Sequence, residues 1–170
     1  GLLDSEGDRQ AVLASRLGLV ADEFDIIVVD SPPSLGLLTL NILVASNWAT
    51  IPVQCEYLAL EGLTMLLDTL EEIQAEHNTR LQILGCLITM CDLRTNLSQQ
   101  VVAEIRTHIG DKVFDTMIPR TVRLSECPSH GKSIFQYDRW GAGARSYEAL
   151  CDEILKRLEI EAESPRRKKK

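Results

Sequence analysis

Apolar positions along the chain fall into two kinds of run, short continuous β-favouring ones and longer ones at helical spacing, and the two kinds take turns. Ile26, Ile27, Val28 and Val29 are consecutive and unbroken by polar residues, as in a strand covered on both faces, so a strand is expected over 25–30. Residues 49–54 (ATIPVQ), 81–90 (LQILGCLITM) and 112–119 (KVFDTMIP) read as three more strands, with Pro52 hinting at the end of the first of these. Between them, 37–46 (LLTLNILVAS) is apolar nearly all round and reads as a buried helix. The clearest amphipathic helix is expected over 58–77, where Leu63, Leu66, Leu70 and Ile73 share one face and Glu71, Glu72 and Glu76 face out. Residues 96–110 repeat the pattern, with Val101, Val102, Ile105 and Ile109 inward and Gly110 as a stop. A short helix over 8–20 and a last one over 143–160 complete the set, and 120–140 reads as loop.

Strands alternating with helices of this length predict an α/β fold, a doubly wound and mainly parallel sheet with flanking helices, in one domain over 1–160. Asp30 then falls at the carboxyl end of a central strand. Pro32 and Pro33, which have no N–H, end the ladder just beyond it. That rim is where open α/β sheets bind ligands, and a carboxylate there suits a hydrated Mg²⁺. A helix cap or the closing of a turn is the alternative role for Asp30.

Composition narrows the class. Apolar residues make up 45% and charged residues 25% of the 170, as in a globular domain. No apolar run approaches the ~20 residues of a membrane span. The chain opens on Gly1 rather than Met, and an incomplete N-terminus is the expectation. The net charge of −7 hides an asymmetry, because the closing RRKKK carries five positive charges on an otherwise acidic chain. Residues 161–170 are therefore expected to be a disordered basic tail. The five cysteines (Cys55, Cys86, Cys91, Cys127 and Cys151) show no CxxC spacing, which argues against a structural zinc site and for reduced thiols.

Catalytic motifs are scarce. A phosphate cradle needs GxxxxGK[ST] between a strand and a helix. The candidate around Gly131, Lys132 and Ser133 has Glu126 where the first Gly belongs, and Pro128 inside the loop. There is no GxSxG around Ser31 or Ser34 and no GxGxxG.

Four segments carry a resemblance: FDIIVVDSPPSLGLLTLNILVAS, IPVQCEYLALEGLTMLLDTL, LITMCDLRTNLSQQVVAEI and IPRTVRLSECPSHGKSI. Over roughly residues 22–155 the chain resembles the C-terminal part of ParA/Soj-type partitioning ATPases, deviant Walker A proteins of the P-loop NTPase class. The resemblance implies ATP and Mg²⁺ as cofactors, with Asp30 as the Walker B-like carboxylate holding the metal through water. It implies that Ser31, Pro32, Pro33 and Ser34 form the second switch, stiffened so that a small displacement reports the γ-phosphate. Pro119 and Arg120 match the place where the family holds adenine, while strand termination is the plainer role for Pro119. Arg94 and Arg123 match positions proposed to touch DNA phosphates, with Lys132 and Arg106 as weaker candidates.

Implied partners are non-specific DNA, a ParB/Spo0J-like stimulating protein and a second copy of the chain in a homodimer, with no membrane, in the cytoplasm on the nucleoid. Two departures stand out: no KGGxGKT precedes these segments, and RWGAG at 139–143 differs from the family's basic, proline-containing stretch. A MinD-like membrane-associated ATPase and a non-catalytic DNA- or protein-binding module remain the alternatives.

Overall fold

A computed structural model of the protein describes residues 9–34, 36–57 and 59–160. It has α1 (Val12–Leu17), α2 (Leu37–Ala45), β1 (Trp48–Gln54), α3 (Ala59–Glu76), β2 (Gln82–Thr89), α4 (Asn96–Ile109), α5 (Val122–Glu126), α6 (Ile134–Tyr137) and α7 (Ala142–Arg157). The chain divides into two compact units, residues 1–49 with 62–83, and residues 50–61 with 84–170. The basic tail lies outside the described residues.

The first unit is organised by two buried amides. Asn41, in α2, accepts from the Leu13 N–H of α1 and donates to the carbonyls of Arg9 and Leu37. Asn78 donates to the carbonyls of Leu43, Val44 and Ser46, satisfying acceptors that the end of α2 leaves open. Leu63, Leu70 and Ile73 of α3 are buried as its periodicity predicts, and Leu66 is half-buried.

Two expectations fail in this unit. Residues 26–30 form no strand, and Val28 is 88% exposed. A run without polar alternation needs a ladder neighbour on each side, and among the described residues none pairs with it. Helix α2 is not buried all round either. Its buried residues are Thr39 and Asn41, which make hydrogen bonds, while Leu37 and Leu38 are exposed.

In the second unit β1 and β2 pair in parallel, with the Cys55 N–H donating to the Thr89 carbonyl at 2.9 Å. Pro52 sits inside β1 instead of ending it. Its missing N–H is tolerated because β2 is the one ladder neighbour β1 has among the described residues. From Leu84 to Ile88 every residue of β2 is buried, the mark of a strand covered on both faces.

The segment predicted as a strand over 112–119 runs parallel to β2 but touches it at two separate bridges, Cys86 with Val113 and Cys91 with Pro119. The reason lies 37 residues away. The Glu153 carboxylate of α7 accepts the N–H groups of Thr116 and Asp115, both at 2.9 Å, so neither is available to the ladder. Phe114, fully buried, centres a core of Leu84, Leu87, Ile118 and Leu150. The Arg157 guanidinium lies 4.2 Å from the Phe114 ring centroid and donates to the carbonyls of Leu84 and Val113 and to Glu153.

Helix α4 starts where the Thr95 hydroxyl accepts from the Ser98 N–H, and it ends at Gly110, whose φ of 66° suits glycine. Residues 120–140 are not a plain loop. They hold α5, capped by Thr121, and α6, opened by a capping box between Ser133 and Gln136.

Candidate functional site

The site grows from the carboxyl ends of parallel segments in the second unit. After β2 the chain turns at Met90, which takes the left-handed region (φ 51°), and loops through Asp92–Thr95 into α4. Beside it, the segment that shadows β2 ends at Pro119 and Arg120, whose N–H donates to the Cys91 carbonyl at 3.1 Å. Between these ends lies a cleft of about 440 Å³ lined by Cys91, Asp92, Leu93, Arg94, Met117, Pro119, Arg120 and Ser146. Three of the residues singled out in the sequence, Arg94, Pro119 and Arg120, thus meet in one cavity.

Charge around the cleft is paired. Arg94 clasps Asp92 with two donors, Nε at 2.8 Å and Nη2 at 2.6 Å, and this clasp holds the Asp92 carboxyl down at about 2. The Arg94 side chain is nonetheless 89% exposed. Exposed pairs of this kind are weak. Arg120 lies 3.9 Å from Glu56. In the cleft lining the Cys91 thiol is pushed up to about 11, first by burial and then by Cys55 beside it, so it stays protonated at neutral pH.

Arg123 is not part of the cleft. It sits on α5, 3.3 Å from Glu126 and with its guanidinium 5.8 Å from the Tyr137 ring centroid. Tyr137 and then Glu126 raise its pKa. Arg106 contacts Asp115 at 3.8 Å and is not among the residues that line the cleft.

Asp30 and the proline loop belong to the first unit. Asp30 is exposed at the end of the 26–30 stretch. The loop after it is held by a residue that sequence reasoning missed. The Thr39 hydroxyl, in the first turn of α2, donates to the carbonyls of Pro32 and Ser34. A threonine in a mostly apolar helix was the available signal. Asp92, two residues before Arg94, was missed as well, although that spacing invites a local pair.

A cleft at the carboxyl rim of parallel segments, flanked by helices, defines an α/β ligand-binding fold. Comparison with known proteins agrees. A family model described as an AAA domain matches residues 2–83. The chain is 55% identical over 155 residues to the chromosome-partitioning ATPase Soj of Treponema pallidum, covering 91% of this chain and 61% of that protein. It is 52% identical over 146 residues to the sporulation initiation inhibitor protein Soj of Bacillus subtilis, covering 86% and 58%. Among solved structures, cobyrinic acid a,c-diamide synthase from Mycobacterium smegmatis, with bound ADP and magnesium, superposes with a TM-score of 0.76 at 32% identity, covering 99% of this chain and 61% of that one. The chain belongs to the ParA/Soj family of partitioning ATPases. It spans about 60% of the length of these relatives.

Proposed function

We propose that the chain supplies the base-holding side of a nucleotide pocket and the DNA contacts of a ParA-type partitioning ATPase, acting in chromosome or plasmid segregation on the nucleoid. One observation carries the reading: Arg94, Pro119 and Arg120 converge on a single cleft in a chain 55% identical to a Soj protein. The cleft volume suits a small-molecule site. Leu93, Met117 and Pro119 offer apolar surface to a purine, and Arg120 brings positive charge.

Asp30, an exposed carboxylate beside a stiff loop, fits an oxygen ligand for Mg²⁺ acting through water. When bound, Mg·ATP supplies the phosphoryl group whose presence or loss the family reads. The Ser31–Ser34 loop, anchored by Thr39, is the element of this chain that registers it. Arg94 and Arg123 exchange their carboxylate partners for DNA phosphates. A homodimer doubles those contacts and raises avidity without new chemistry, and a ParB/Spo0J-like partner stimulates turnover.

The test uses the 170-residue chain itself. With Mg²⁺ it is expected to bind a fluorescent ATP analogue through the cleft, weakened by Arg120→Ala, and to release no phosphate, because its sequence holds no GxxxxGK[ST]. Phosphate release above a no-protein blank, or binding indifferent to Arg120→Ala, contradicts the reading. On DNA, Arg94→Ala and Arg123→Ala are each expected to lower the salt-dependence slope of binding by roughly one. Unchanged slopes remove those residues from the interface.

A further inference from the structure

The stretch 119–145 departs from the acidic character of the chain, with five Lys and Arg against two carboxylates. Within it Trp140 is 79% exposed, an unusual state for the largest apolar side chain. Its backbone is held in a turn. The Gly141 N–H donates to the Asp138 carbonyl at 3.1 Å, and the Arg145 guanidinium donates to the Trp140 carbonyl. The Asp138 carboxylate packs under Gly141, where an added Cβ would come within 2.0 Å of it, so a larger residue there would have to displace that side chain. The Arg139 guanidinium sits 5.5 Å from the indole centroid, on one face of the ring. At this exposure the rest of the indole meets solvent.

We propose that Trp140 is a stacking platform for an unpaired nucleobase, with Arg139 placed to meet the adjoining phosphate. The inference rests on the DNA-contact reading above and adds a ligand class to it, single-stranded DNA. A Trp ring on a held backbone turn has few torsions to lose on binding, and base–aromatic stacking is indifferent to sequence because every base has a π-face. Charge complementarity selects the occupant: a guanidinium on an exposed ring, in a stretch richer in cations than in carboxylates, fits a polyanion carrying flat bases. In a duplex the bases are stacked on one another, so the ring distinguishes open strands from closed ones.

The experiment uses the full chain with Trp48→Phe, which leaves Trp140 as the one fluorophore of its kind. Titration with oligo-dT at low salt is expected to quench Trp140 emission, and a duplex of equal length is expected to quench it far less. By anisotropy of labelled DNA, Trp140→Ala is expected to weaken oligo-dT binding roughly tenfold or more. Duplex binding should stay within about twofold and the salt slope unchanged, since no phosphate contact is lost. Trp140→Phe, which keeps a π-face, is expected to restore most of the affinity. DNA binding with unquenched Trp140, or equal loss on both DNA forms, overturns the stacking role and leaves the DNA reading standing. Failure to bind any DNA overturns both. A blue shift with phosphatidylglycerol vesicles and no quenching by oligo-dT assigns the ring to lipid and overturns the proposal.

Discussion

Two stretches of this chain share one pattern and meet different fates. Residues 26–29 and the interior of β2 are both continuous apolar runs of β-favouring residues. Yet Val28 is 88% exposed while Ile88 is fully buried. The difference is lateral. β2 has β1 on one side and the 113–119 segment on the other, whereas nothing among the described residues pairs with 26–29. An apolar run therefore encodes the capacity to be a central strand. Burial itself comes from the neighbours that complete the ladder.

That contrast can be broken experimentally, and Phe114→Ala is the strongest attempt. It empties the core over β2 and is expected to cost about 3–5 kcal/mol, measured by urea unfolding. A loss under about 1 kcal/mol would mean the strand is not held from that side. Gly85→Ala is next. The new Cβ would lie 2.5 Å from the Phe114 ring, and overpacking of this kind costs about 1–3 kcal/mol. A stabilised variant would show the contact to be slack.

Glu153→Gln probes why the 113–119 segment is a broken strand. Desolvation pushes the Glu153 pKa up, but the hydrogen bonds from Thr116, Asp115 and Arg157 outweigh it, and the pKa ends below its usual 4.5. A carboxylate with a lowered folded pKa stabilises the fold above its unfolded value, and that stability drains away as the pH falls below about 4.5 and through the folded value. Glu153→Gln is expected to cost about 1 kcal/mol at neutral pH and to flatten the fall in urea midpoint below pH 4.5. An identical acid limb in both proteins would contradict the assignment. The smallest effect belongs to Val28→Lys, expected to change stability by under about 0.5 kcal/mol while reducing self-association. A loss rivalling that of Phe114→Ala would place Val28 in a buried interface.

These cases also show where sequence stops being legible. β2, α3 and α4 could be read because their periodicity agrees with the packing that buries Leu63, Leu70, Val101 and Ile105. The interruption of 113–119 could not, since its cause is a carboxylate on the last helix. Helices α5 and α6 were too short for periodicity to register, although the Ser133–Gln136 spacing was an available start signal. In the site, the matched positions placed Arg94, Pro119 and Arg120 on the cleft. The state of Arg94, clasped by Asp92, is a matter of side-chain geometry, and no spacing rule reports whether a guanidinium is free.

The Thr39 hydroxyl deserves a last consequence. Pro32 and Pro33 contribute no donors, so the carbonyls of Pro32 and Ser34 are moored to α2 through a single oxygen near the head of that helix. Loop and helix share that oxygen like a handle and its shaft: a displacement of the prolines pulls on Thr39, two residues from Leu37 on one side and from Asn41 on the other.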